Sequence, residues 1–114
     1  MHKQSSIARE VTMPTIPLLE WSDEALADLL AIVDHISDDS AQAAQELKNE
    51  IENKVGALTA HPKKYAKSVR APGYRQLTVR ANYLVFYRLL TEKSPKVIDV
   101  AAVVHARRKW PASP

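Results

Sequence analysis

The chain predicts an α+β domain of order β-α-α-β-β-β, with a helical hairpin packed on one face of a small, mainly antiparallel sheet. Three observations carry this prediction. Apolar residues recur at helical spacing only between residues 23 and 58; from residue 75 onward they alternate or form short strand-length runs; and turn signals separate the segments. Helices followed by strands in a chain of 114 residues point to one layered domain with a modest core. The expected organisation is a single domain over 13–114, preceded by a polar segment over 1–12 that is a flexible arm or an extension.

The first strand is the apolar run Ile16 to Trp21, and Pro17 within it favours a sheet edge. Ser22 or Asp23 can cap the helix that follows, and Asp23, Glu24 and Asp28 suit its positive N-terminal end. Ala25, Leu29, Ile32, Val33 and Ile36 form its apolar stripe, which predicts a helix over about 23–36. Ser37-Asp38-Asp39-Ser40 reads as a tight turn with a new N-cap. In the second helix Ala44, Leu47, Ile51, Val55 and Leu58 make one stripe, ended by His61-Pro62 because proline cannot continue a helix. Gly56 interrupts this helix, as close approach to its partner helix would require. Glu50 and Lys54, four residues apart, read as a favourable surface pair.

Lys63 to Ala71 is a basic loop, and Pro72-Gly73 marks a turn. Arg75 to Arg80 alternates, with Leu77 and Val79 on one face. Ala81-Asn82 is read as the hairpin turn, and Tyr83 to Tyr87, apolar on both faces, as a central strand. In Val97 to Val104, strict alternation puts Ile98, Val100, Ala102 and Val104 on one face and Asp99, Ala101, Val103 and His105 on the other.

The two halves of the chain carry opposite charge. Residues 1–60 hold four Lys/Arg against eleven Asp/Glu (net −7), and residues 61–114 hold twelve against two (net +10). Such asymmetry predicts a basic, strand-rich face that meets something acidic, on an acidic helical support. His105-Ala106-Arg107-Arg108-Lys109-Trp110 concentrates a histidine, three cations and a tryptophan at the end of the last strand. Arginine forks match phosphates and carboxylates, and tryptophan stacks on a base or fills a partner's pocket. A solvated tail whose Trp110 packs back on the core explains the same pattern. Arg70, Arg75, Arg80 and Arg88 lie on or beside the strands, as single surface charges or as one patch. His105 with Tyr83 or Tyr87 would supply proton carriers for RNA cleavage, but aromatic core packing explains both tyrosines. Four histidines without ligand spacing and only two glycines predict neither a metal nor another cofactor, and no run approaches the ~20 apolar residues of a membrane helix. A chain without cysteine fits a reducing cytoplasm.

From Ile16 to Pro111 the chain resembles the RelE/ParE superfamily of bacterial toxins. The carriers are Leu18-Leu19-Glu20-Trp21, the helix with Ala25, Asp28, Leu29 and Ile32, and Val55-x-x-Leu58-x-x-His61-Pro62. They continue with Pro72-Gly73-Tyr74-Arg75-Gln76-Leu77, Asn82-Tyr83-Leu84-Val85-Phe86-Tyr87-Arg88 and Val103-Val104-His105-Ala106-Arg107-Arg108-x-Trp110-Pro111. The resemblance implies the same element order, with a curved sheet whose basic concave face is functional. The Pro-Gly-x-Arg segment, the Asn-Tyr strand and the His-Ala-Arg-Arg-x-Trp-Pro ending look like the ParE branch.

On that branch the resemblance implies a non-enzymatic toxin that inhibits DNA gyrase. Its target surface is expected at Arg70, Arg75, Arg80, Arg88, Arg107, Arg108 and Trp110. The RelE alternative is an mRNA endoribonuclease acting on the ribosome, with His105, Arg80, Arg88 and Arg107 at its centre. A non-toxic basic nucleic-acid-binding module is the third reading. Either toxin implies a cognate acidic antitoxin, ParD-like or similar, expected across Leu29, Val33, Leu47, Tyr83 and Tyr87. A membrane partner is not expected.

Overall fold

The computed structural model describes residues 16–111, so the arm expected over 1–12 lies outside the described residues. The elements are β1 (Leu18–Trp21), α1 (Asp23–Ser37), α2 (Ala41–Gly56) with a 3₁₀ turn over Ala57–Thr59, β2 (Arg75–Val79), β3 (Tyr83–Leu90) and β4 (Val97–His105). The predicted order stands. The strands lie in the order β1-β4-β3-β2, with β1 parallel to β4 and the other neighbours antiparallel, so the sheet is mixed.

Both helices begin where a serine offers an acceptor. Ser22 Oγ accepts the Ala25 N–H at 3.0 Å, and Ser40 Oγ accepts the Ala43 N–H at 3.1 Å. The stripes of α1 and α2 then bury Ala25, Leu29, Leu47, Ile51, Val55 and Leu58 against Leu77, Val79, Val85, Tyr87, Ile98, Val100 and Val103 of the sheet. The opposite sheet face is also covered. Leu84, Phe86, Ala102 and Val104 are buried there under Ala71, Tyr74, Ala106 and Trp110, which come from the β2 approach loop and the C-terminal segment.

Three local expectations are corrected. A Cβ built on Gly56 would meet nothing within 4 Å, so close helix approach does not explain that glycine. The left-handed residues of the β2–β3 turn are Arg80 (φ 54) and Ala81 (φ 60), one position earlier than expected, with the Asn82 N–H closing onto the Val79 carbonyl at 3.2 Å. Glu50 pairs with Arg80, leaving Lys48–Glu52 as the ion pair within α2.

The alternation of β4 also breaks. Tyr87 faces Val100 and Phe86 faces Ala102, so Ala101 is an extra residue, a β-bulge. Beyond it the faces exchange, and Val103 joins Ile98 and Val100 on the helix side. A bulge strands backbone groups, and α1 supplies their partners. Ser22 Oγ donates to the Ala101 carbonyl at 3.0 Å, and Asp28 Oδ2 accepts the Val103 N–H at 3.0 Å. One end of α1 is thereby tied to the kink in β4.

Candidate functional site

The strands set where each arginine goes, and four of the six have partners. On β2, Arg75 donates through Nη1 to the Tyr65 carbonyl at 2.7 Å. Arg80, in the β2–β3 turn, reaches Glu50 of α2 at 2.6 Å. Arg88, exposed on β3, pairs with Asp99 across the β4 ladder at 3.0 Å, and this hydrogen bond raises its pKa further above the ordinary arginine value. Arg70 donates to the carbonyls of Ala106 (2.9 Å) and Arg108 (3.1 Å), holding the C-terminal segment against the β2 approach loop. Arg107 and Arg108 are exposed and make no ion pair among the described residues.

Trp110 packs back on the sheet rather than standing free. Its ring stacks on Phe86 with centroids 4.8 Å apart, meets Tyr74 edge-on at 5.0 Å, and donates Nε1–H to Glu24 of α1 at 2.8 Å. The Arg88 guanidinium lies over the other partner of that pair, 5.2 Å from the Tyr74 centroid. The second sheet face is thus an aromatic patch, Phe86–Trp110–Tyr74, with cations on its rim. It is not the uniformly basic strand face expected from charge alone. Arg70, Arg88, Arg107, Arg108 and Trp110 belong to this side. Arg80 does not; it faces α2.

The residues of the nuclease reading do not all assemble around one point. His105 ends β4 beside Tyr83, with ring centroids 5.5 Å apart, and its Nδ1 accepts the Arg107 N–H at 3.1 Å. Arg88 lies five positions along β3 from Tyr83, roughly 17 Å at the ordinary strand rise. Tyr87 is buried in the helix-side core. Burial raises the pKa of its phenol, the nearby Tyr65 backbone opposing this weakly, and its hydroxyl has no partner in bonding geometry. A neutral, enclosed phenol is not a proton carrier for an external substrate.

The residues expected to meet an antitoxin divide by burial. Leu29, Leu47 and Tyr87 are core, at 4%, 1% and 0% exposure, and offer no contact surface. Val33 and Tyr83 are half-buried. The exposed apolar residues of this region are Leu18 on the open edge of β1 and Leu26 and Leu30 on α1, one position beyond the core stripe.

Beside the aromatic patch, Lys63, Lys67, Arg75 and Arg88 border a cleft of about 400 Å³ with Tyr74 and Thr91. A larger cleft of about 930 Å³ adjoins it through Lys63 and Leu89 and is walled by Pro17, His61, Lys64 and Lys96. Sequence spacing did not unite these cations, because the loop 63–74 folds back along β2: the Gln76 N–H reaches the Ala66 carbonyl at 3.2 Å, and the Ser68 N–H reaches the Tyr74 carbonyl at 2.8 Å. Among the described residues there is no cluster of metal-ligating side chains and no helix long and apolar enough to cross a membrane.

The comparisons with known proteins agree with this architecture. A solved chain of a chromosomal ParDE TA system from P. aeruginosa is similar at 26% identity and a TM-score of 0.66, over 79% of this chain and 96% of that one. No curated protein matches the chain. The model of the ParE toxin of the type II toxin–antitoxin system parDE matches residues 19–110, from β1 through Trp110. This chain therefore belongs to the ParE toxin family of type II toxin–antitoxin systems.

Proposed function

We propose that the protein arrests bacterial growth by binding DNA gyrase, without itself catalysing a reaction, and that a cognate antitoxin restrains it. The single observation that carries this reading is family membership spanning nearly all the described residues. The geometry supports its non-enzymatic part. His105, Arg80 and Arg88 do not converge on a common reacting atom, whereas acid–base RNA cleavage needs proton carriers and cations within hydrogen-bond reach of one phosphate.

The gyrase-binding surface centres on the Tyr74–Trp110 patch and its rim of Arg70, Arg88, Arg107 and Arg108, with Arg75 alongside. Apolar aromatic area framed by arginines is the composition of an energetic interface centre. The antitoxin is acidic, orders on binding, and approaches a chain half that carries +10. Its apolar residues meet Leu26 and Leu30, and half-buried Val33, rather than core Leu29 and Leu47.

Purified toxin added to a gyrase supercoiling reaction tests the proposal. Inhibition at micromolar toxin, relieved by equimolar antitoxin from the neighbouring reading frame, is the expected result. Unimpaired supercoiling, together with A-site mRNA cleavage on programmed ribosomes that disappears in His105→Ala, would transfer the assignment to the ribonuclease reading. Harmless overexpression would favour a basic nucleic-acid-binding module instead.

A further inference from the structure

We propose that the cleft lined by Pro17, Pro62, Leu89 and Lys96 docks a short segment of the antitoxin in which acidic residues flank an aliphatic one. This rests on the reading that an acidic antitoxin restrains the chain, and not on gyrase being the target. It adds a second contact to the one expected at Leu26 and Leu30 of α1.

The strand pairing puts this lining on the helix side of the sheet. Leu89 of β3 faces Ile98 of β4, and both pack in the helix-side core. The ladder extends one residue before β4, where the Leu18 N–H reaches the Lys96 carbonyl at 2.9 Å. Lys96 stands two positions before Ile98, so strand alternation gives it the same side. Pro17 stands two positions before Leu19, which also packs against that core. The segment after the 3₁₀ turn completes the cleft with Pro62, Lys63 and Lys64. It is held in a turn there, the Lys64 N–H reaching the His61 carbonyl at 3.1 Å.

The rim is cationic and uncompensated. Lys63, Lys64 and Lys96 are exposed and make no ion pair among the described residues, and none of the residues lining the cleft is a carboxylate. Lys64 lies 5.4 Å from the centroid of the Tyr65 ring, a contact that leaves its charge unneutralised. Between the lysines the surface is aliphatic, formed by Pro17, Pro62 and Leu89, with Ile16 beside them 66% exposed. At about 930 Å³ the cleft admits several side chains.

The aliphatic lining decides the class of partner. A nucleic acid is held by arginine forks on its phosphates and by aromatic faces under its bases. The lining holds no arginine, tyrosine, tryptophan or phenylalanine. A small anion would leave the aliphatic surface in water. An acidic peptide satisfies both parts: an aliphatic side chain covers Pro17, Pro62 and Leu89, and its neighbouring carboxylates meet the lysines, whose charge also speeds the encounter.

Calorimetric titration of the full chain with the antitoxin from the neighbouring reading frame, at about 0.15 M salt, tests the site. The triple variant Lys63→Ala/Lys64→Ala/Lys96→Ala loses only exposed side chains, so it should fold, as circular dichroism checks. It should bind the antitoxin roughly tenfold or more weakly. Lys48→Ala/Lys67→Ala/Lys109→Ala, an equal charge loss away from the cleft, should change affinity by less than about threefold. Unchanged affinity in the first variant, or equal weakening in both, would overturn the site while leaving the antitoxin reading intact. Unchanged antitoxin affinity together with duplex DNA binding that the first variant abolishes would give the cleft to a nucleic acid. A natural chain that does not bind the antitoxin at all would overturn the antitoxin reading, and this site with it.

Discussion

Tyr87 carries a hydroxyl into the core where nothing in bonding geometry receives it, and burial holds the phenol neutral. A buried polar group without a partner costs free energy that its removal returns. Tyr87→Phe should therefore leave stability unchanged or raise it by up to about 1 kcal/mol in urea unfolding. A loss larger than about 1 kcal/mol would mean that the hydroxyl has a partner after all. The aromatic-rich strand around Tyr87 was legible as a central strand, because Tyr83 to Tyr87 is apolar on both faces. Leu29, Leu47 and Tyr87, expected at a partner surface, are buried for the same reason: residues that make a helix stripe or a central strand recognisable are the ones the core consumes. Leu26 and Leu30, which break the amphipathic pattern, are the exposed ones.

One of the two ties between α1 and β4 is a carboxylate. Asp28 is partly buried, and desolvation raises its pKa above the ordinary 3.8; repulsion from Glu24 adds to this, while the Val103 N–H and Arg108 oppose it. A carboxyl whose folded pKa is raised binds its proton more tightly in the native state. Its cost to stability therefore appears as pH rises above 3.8, and it is complete once pH exceeds the folded value. Asparagine keeps an acceptor for Val103 without the charge. The stability difference between Asp28→Asn and the natural chain should shift in favour of asparagine between pH 4 and pH 7, measured by urea unfolding. A difference independent of pH would remove the linkage. Asp28→Ala should be destabilising by about 1–3 kcal/mol at pH 7, because the Val103 N–H is left without its partner.

Elements were largely readable from period and punctuation. The helix stripes, the serine caps and the strand starts at Arg75, Tyr83 and Val97 fall where the residues place them. The bulge at Ala101 was not readable. It leaves no composition mark in Val97–His105, and its compensating partners, Ser22 and Asp28, lie more than 70 positions away. The same distance hides Glu24 from Trp110, 86 positions on. Of the two meanings the sequence left open for Trp110, the structure shows one: the ring packs back on the sheet.

Across the whole molecule, the charge division of the chain survives folding but is redistributed. The acidic half forms the two helices that back the sheet. The cations of the other half spread over the rim of the aromatic patch and two adjoining clefts, while Arg80 turns to α2. Ion pairs absorb little of this excess. Arg80–Glu50 and Arg88–Asp99 are partly exposed, and pairs of that kind contribute about 0–1 kcal/mol each. Surface charge on this scale serves encounter and docking more than the stability of the fold.

The central claim is that this cationic side docks a macromolecule. Inducible expression of Arg88→Glu/Arg107→Glu in a bacterium lacking the antitoxin tests it most directly, with circular dichroism of the purified variant to confirm the fold. Both side chains are exposed, so the variant should fold and should no longer arrest growth. A folded variant that stops growth as effectively as the natural chain would contradict the account.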